Sequence, residues 1–313
     1  MNRSHSPNRN IQRSDFPGNP ARRLANRRTD VASGFGDFAP DFPMLNKKTE
    51  TIPGIGAGGE AMLTGKKGLV VGVANDRSIG YGCARHFRAA GAELAMTYLN
   101  SRTGKFVLPL ASALECQIAR SCDVAVPGQL ESVFEEIARK WGRLDFALHS
   151  IGYARADDLH GRVIDCSAEG FAHAMLVSVH SFLRLAKLAE PLMTSGGCLL
   201  ALTYYGGQKA VQQYGVMGPV KGALETAVAY MALELGGKGI RVNAISPGPV
   251  ATRSASGISH FDQLLDHSAK RAPEHRQISL DDVGALAAFL VSDAASAMTG
   301  NISYVDGGYH VMG

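Results

Sequence analysis

The fold that the sequence predicts is a single doubly wound α/β domain with a central parallel sheet. Three observations predict it. Short apolar runs alternate with helix-period segments from about residue 65 onward. The first of these runs passes directly into a glycine-containing turn and then into a helical pattern. No internal repeat occurs at solenoid spacings, so the alternation belongs to one sheet rather than to a stacked array.

The elements follow in order. Residues 69–73, Leu-Val-Val-Gly-Val, read as a buried strand, and 80–90 as a helix. A second strand covers 93–98. Later strands are expected at 118–122, 146–150, 198–203, 241–245 and 302–305. Helices are expected at 129–140, 171–193, 221–235 and 280–292. The strands are nearly continuous apolar runs, as they are when crossover helices cover both faces of a parallel sheet. The crossovers are then right-handed.

Composition bounds the function. The chain has 313 residues, 45% apolar and 19% charged, which suits a sizeable core and excludes a fibrous or wholly disordered chain. No apolar run approaches the roughly 20 residues of a membrane span. The net charge is +4, and residues 1–60 carry most of it with nine Lys/Arg and six Asp/Glu. The remainder is close to neutral and makes no case for binding nucleic acid. Cys83, Cys116, Cys122, Cys166 and Cys198 are scattered without a CxxC pair, which fits a reducing compartment and neither a disulfide framework nor a zinc site. The ten histidines show no H-x-x-x-H spacing, so no metal site is expected.

Residues 1–61 are expected to be a disordered N-terminal extension and 62–313 the folded domain. The extension is rich in Arg, Asn, Ser, Pro and Gly and lacks sustained apolar periodicity. Arg22, Arg23, Arg27 and Arg28 are also compatible with an organelle transit peptide, and Met62 with a later start of the chain.

Two constellations carry chemistry. The first strand runs into Gly72-Val-Ala-Asn-Asp-Arg-Ser78-Ile79-Gly80-Tyr81-Gly82, a longer turn than G-x-G-x-x-G. Glycine lets backbone approach a pyrophosphate, and helix N–H groups attract its charge. Ser78 is placed to cap the helix and to donate to phosphate. A plain glycine turn would carry the same pattern. The second strand ends at Leu99-Asn100 without the acidic residue that usually meets a ribose 2′-hydroxyl. Arg102 and Lys105 follow, so by charge either a 2′-phosphate is tolerated or both are solvated loop residues.

The second constellation is Tyr214 and Lys221. Seven residues on a helix turn through 700°, about 20° short of two full turns, so both side chains are expected on one face. An ammonium about 5 Å from a phenol, at an effective dielectric near 20, favours phenolate by roughly 3 kcal/mol, or about two pKa units. A surface helix that happens to carry Tyr and Lys is the alternative. Pro219 lies between them and is expected to kink the helix.

These residues occur in sequence with Cys122-Asp123-Val124, His149-Ser150-Ile151-Gly152-Tyr153, Tyr204 ten residues before Tyr214, Arg241-Val-Asn243, Pro247-Gly248-Pro249 and Val305-Asp306-Gly307-Gly308. Across residues 64–310 the chain resembles the short-chain dehydrogenase/reductases and, within them, the bacterial enoyl-acyl-carrier-protein reductases. The resemblance implies a Rossmann-type domain that reduces a trans-2-enoyl thioester on acyl carrier protein with NADH, NADPH being the alternative, in fatty acid biosynthesis. It implies Tyr214 as hydrogen-bond donor to the enolate oxygen, Lys221 on the nicotinamide ribose, and Tyr204 beside the thioester or, alternatively, in the core. Cofactor contacts are implied for Gly72, Ser78 and Ile79 in the first turn and for Leu99, Asp123 and Val124 around the adenosine. Ser150, Ile151 and Gly152 would follow the fourth strand, and Val250 and Thr252 would hold the carboxamide. Tyr153, Met217 and Phe261 would line the acyl side, the last two being equally ordinary core residues. Residues 251–261 read as a lid. A cytoplasmic homotetramer is implied.

The relay of the carbonyl-reducing members is missing. Ala201 stands where they have serine, and Ser178 where they have asparagine. Another short-chain carbonyl reductase or alcohol dehydrogenase, or a catalytically silent nucleotide-binding homologue, remain as alternative readings.

Overall fold

The computed structural model describes residues 61–252 and 261–312. The expectation for residues 1–61 therefore falls, but for its last residue, outside the described residues. Seven strands make one wholly parallel sheet: β1 (Lys67–Val71), β2 (Glu93–Tyr98), β3 (Ile118–Ser121), β4 (Phe146–His149), β5 (Gly197–Leu202), β6 (Ile240–Pro247) and β7 (Ile302–Val305). Their spatial order is β3-β2-β1-β4-β5-β6-β7. The order reverses between β1 and β4, and in such sheets a crevice opens beyond the carboxyl ends of the two strands.

Alternation along each strand sends side chains to two separate cores. Leu69, Ala95, Leu199 and Ala201 face one layer, packed by α3 (Gln129–Trp141), α6 (Ser181–Ala189) and α7 (Met217–Leu235). Val70, Leu94, Met96 and Leu200 face the other, packed by α1 (Ile79–Ala89), α2 (Ser101–Ala113) and α9 (Leu280–Val291). The inner strands are buried on both of these layers, which is why they read as nearly continuous apolar runs rather than as a polar/apolar alternation.

Several boundaries differ from expectation for identifiable reasons. The first strand begins at Lys67, where the Asp145 carboxylate accepts from the Lys67 N–H at 2.7 Å, and it ends at Val71 because Gly72 adopts φ +98°. The expected helix at 171–193 is a composite of α5 (Ala168–Met175), a π-turn (Leu176–His180), α6 and a 3₁₀ turn (Glu190–Leu192). α2 was not read from periodicity because Pro109 lies inside it, although Asn100 caps it by accepting from the Thr103 N–H at 3.1 Å. The short α4 (Ala156–His160) and α8 (Phe261–Arg271) were likewise unread.

A Cβ on Gly72 would fall 2.5 Å from Ile151 Cγ1 and 2.6 Å from the Ser150 carbonyl oxygen, at a φ that side chains avoid. Gly72→Ala is therefore expected to destabilise the protein by about 1–3 kcal/mol. Thermal unfolding checks this, and an unchanged Tm would contradict the close crossing of β1 and β4.

Candidate active site

The strand ends converge on one cleft of ≈ 880 Å³. At the end of β1 it is lined by Gly72, Ser78 and Ile79, and at the end of β2 by Leu99 and Thr103. Asp123 and Val124 follow β3. Ser150, Ile151, Gly152 and Tyr153 follow β4. Leu202, Thr203 and Tyr204 come from the end of β5, and Val250 and Thr252 from beyond β6. Tyr214, Met217 and Lys221 close the floor. All the site residues expected from sequence other than Phe261 line the cleft. Phe261 opens α8, its side chain falls outside the described residues, and most of the expected lid does so too.

The β1–α1 turn suits a phosphate. No side chain caps α1, and its first turn holds no acidic residue, so the helix N-terminus is left for an anion. The expectation that Ser78 caps this helix is overturned: its hydroxyl donates instead to the Asn75 carbonyl at 2.6 Å, which pins the turn. Asp123 is held by its own turn, one carboxylate oxygen accepting from the Ala125 N–H at 2.9 Å.

Tyr214 and Lys221 do share the cleft, but not through one helix. α7 starts at Met217, and Gly215 turns the chain between the tyrosine and the helix with φ +51°. A Cβ there would fall 2.3 Å from the Leu159 carbonyl oxygen. Pro219 consequently occupies the third helical position, where its missing N–H has no bond to lose. The expected kink does not arise, and the Gly215 carbonyl accepts from Gly218 at 3.2 Å instead. The Tyr214 ring lies against Gly206, where a Cβ would sit 2.5 Å from Cδ1. It also packs on the Tyr204 ring, with centroids 4.8 Å apart and planes tilted by 57°.

The electrostatics reverse the expectation that Lys221 draws Tyr214 toward phenolate. Burial pushes the Tyr214 phenol above its ordinary value, and Tyr204 and Glu225 push it the same way. Burial likewise raises Tyr204. Among the described residues the buried Tyr204 hydroxyl has no hydrogen-bond partner. Lys221 is buried and donates to the Leu202 carbonyl at 2.7 Å. Burial brings its ammonium down to about 8, against which Glu225 pulls upward. A Cβ on Gly152 would lie 3.5 Å from the Lys221 Nζ, so the absence of a side chain there keeps the ammonium open to the cleft. His149 is buried behind the site and accordingly held down at about 3, which keeps it neutral.

Residues given no role by the sequence line the cleft or support its lining. His173 on α5 packs edge-on against Tyr153, with centroids 5.6 Å apart. Ser178, in the π-turn, accepts from the Tyr153 N–H at 3.0 Å and donates to the Tyr153 carbonyl at 3.3 Å. Thr103 enters from α2. No spacing in the sequence announces them, because a π-turn and a proline-containing helix both break the period that would place them.

Strand order, glycine turn and the tyrosine–lysine pair at the crevice define a dinucleotide-dependent reductase of the short-chain dehydrogenase type. Comparisons narrow this. A sequence model described as Enoyl-(Acyl carrier protein) reductase matches residues 72–310. The chain is 44% identical over 252 residues to Enoyl-[acyl-carrier-protein] reductase [NADH] 1 of Rhizobium meliloti, covering 80% of this chain and 93% of the relative. It is 45% identical over 254 residues to the corresponding NADH enzyme of Nostoc, covering 80% and 98%. The crystal structure of the Anaplasma phagocytophilum reductase in complex with NAD superposes with a TM-score of 0.78 at 45% identity, over 80% of this chain and 96% of that one. The Bacillus cereus reductase with NADP+ and an indole naphthyridinone gives 0.79 at 43% identity, over 80% and 99%. The chain belongs to the enoyl-acyl-carrier-protein reductase family.

Because Pro219 occupies the first turn of α7, Pro219→Ala is expected to change stability by less than about 0.5 kcal/mol and to leave the helix intact. Denaturant unfolding and circular dichroism check this. A large gain in either would restore the kink.

Proposed function

We propose that the protein reduces the C2–C3 double bond of a trans-2-enoyl thioester carried on acyl carrier protein, with NADH as reductant, in fatty acid elongation. One observation carries the reading. Two phenols packed at a tilt, both kept protonated by burial, stand with a buried ammonium at the same crevice. That arrangement donates hydrogen bonds to an oxygen that gains charge. It does not suit abstraction of a proton from an alcohol, which needs a phenolate, and so it favours enoyl reduction over alcohol oxidation.

Bound NADH supplies the hydride that reaches C3. The β1–α1 turn receives its pyrophosphate through Gly72, Ser78 and Ile79, while Leu99, Asp123 and Val124 frame the adenosine. Ser150, Ile151 and Gly152 run beside the ribose. Lys221 spends one of its three N–H groups on Leu202 and offers the others to the ribose hydroxyls. Val250 and Thr252 hold the carboxamide edge. Tyr214 donates to the thioester oxygen as it becomes an enolate, the Tyr204 hydroxyl orients the thioester beside it, and a proton drawn from solvent then reaches C2 and returns the enolate to the saturated thioester. Tyr153 and Met217 face the acyl group.

Residues 62–313 form the catalytic unit in this reading. The active form is a homotetramer, a proposal supported by Tyr230 and Leu233, which lie 64% and 80% exposed on α7. A cytoplasmic location is supported by the free thiols of all five cysteines. Among the described residues no helix is long and apolar enough to cross a membrane.

The test is a steady-state assay crossing NADH and NADPH with crotonyl and decenoyl carriers. Enoyl turnover is expected, and turnover of acetoacetyl thioester alone would overturn the reading. Tyr214→Phe and Lys221→Met are each expected to lower kcat/KM about 10²-fold or more. The ammonium is the working form of Lys221, whose folded value lies at about 8, so activity is present below that pH and declines as pH rises through it. A kcat profile flat to well above pH 9 would contradict the assignment.

A further inference from the structure

The phenols and the ammonium account for the cleft, but a carboxylate behind them is not yet explained. Glu225 lies one helical turn beyond Lys221 on α7, on the same face. One of its oxygens accepts from the Thr203 hydroxyl at 2.6 Å, and the other from the Gln208 side-chain N–H at 2.9 Å. Thr203 immediately precedes Tyr204, and Gln208 ends the 3₁₀ turn Tyr205–Gly207. The turn fits tightly over the helix: a Cβ on Gly207 would fall 3.0 Å from Glu225 Oε1 and 3.0 Å from the Gly222 nitrogen. Gln208 is fixed in turn by the Tyr304 hydroxyl, which donates to its carbonyl oxygen at 2.5 Å from the edge strand β7.

We propose that Glu225 is a positioning residue for the reaction: it straps both ends of the Tyr204-bearing turn to α7 and sets a negative charge one turn from Lys221. The strap fixes where the unpartnered Tyr204 hydroxyl points. The charge favours the ammonium over the free amine in a site whose burial opposes it. Glu225 touches neither substrate nor cofactor and acts through Tyr204 and Lys221. The inference rests on the function proposed above.

Other titratable groups surround Lys221. His149 comes from β4 and stays neutral at assay pH. Tyr204 and Tyr214 come from the end of β5 and the entry to α7, and burial keeps both protonated. His173 of α5 lines the cleft, and His180 of the π-turn is exposed. On β6, Arg241 is committed to the Leu290 and Ser292 carbonyls. Asp306, after β7, is bound by Gly308 and His310. His173 is an imidazole lining the same cleft, so its substitution serves as a background in the test.

Glu225→Gln preserves volume and removes the charge. Thr203→Val preserves the charge and removes one strap bond. In the full-length protein, the alkaline limb of the kcat/KM profile is expected to move to lower pH by about half a unit or more in Glu225→Gln, in the wild-type and His173→Gln backgrounds alike. Thr203→Val is expected to lower kcat severalfold without moving that limb. Fluorescence titration with NADH, without enoyl substrate, is expected to show binding that weakens at lower pH in Glu225→Gln than in wild type. An unmoved limb and an unmoved binding profile in a folded Glu225→Gln would overturn the inference. Absence of enoyl turnover in the wild-type protein would instead defeat the proposed function, while the NADH titration would still report on the Lys221–Glu225 coupling.

Discussion

A buried ammonium is tolerated only where the chain surrounds it with oxygen. Lys221 meets that condition at the C-terminal end of β5, whose last carbonyl, on Leu202, has no further strand residue to pair with and is left to accept. Much of the architecture serves this contact. α7 must pass under the end of β5, which requires Gly207 and Gly222 to let a backbone turn lie on the helix. β4 must end beside β5, which the parallel register Phe146↔Cys198 through His149↔Ala201 secures. The chain after β4 must then leave the ammonium uncovered, which Gly152 does.

The same burial decides the character of the tyrosines. Spacing alone made Coulomb attraction the dominant influence on Tyr214, and at a few ångströms that attraction is large. In the folded protein desolvation of a phenolate in a site lined by Gly206, Tyr204 and Met217 governs instead, with Tyr204 and Glu225 acting in the same direction, so the phenol stays neutral. A neutral donor beside a positive charge stabilises an oxygen that acquires charge during reaction, without first having to give up a proton.

The sheet was legible because its inner strands are buried on both faces and so leave nearly unbroken apolar runs. β7, which is only half-buried, was still found because Ile302–Val305 keeps β-favouring residues. The cleft residues were legible where they sit at strand ends, since the reversal of strand order brings every carboxyl end to one place. What was missed shares one cause, a break in the 3.6-residue period. Pro109 hid α2 and with it Thr103, the π-turn hid the bonds of Ser178 to the Tyr153 backbone and the facing of His173, and the left-handed Gly215 separated Tyr214 from the helix that its spacing to Lys221 implied. Glu225 was hidden for another reason: a lone glutamate on a largely apolar helix looks solvated until the turn above it is known.

The π-turn between Met175 and Ser181 accommodates one residue more than regular winding allows. Removing a single residue from this stretch would let the run from Ala168 to Ala189 wind as one regular rod. Everything on one side of the cut would then swing by about 100° relative to the other. Either Ser178 would let go of the Tyr153 backbone, or Ser181 and Phe182 would turn away from His149, which they now touch at 2.7 Å and 5.3 Å. The surplus residue is thus a phase adjuster, allowing one length of chain to address the crevice at its front half and the sheet at its back half.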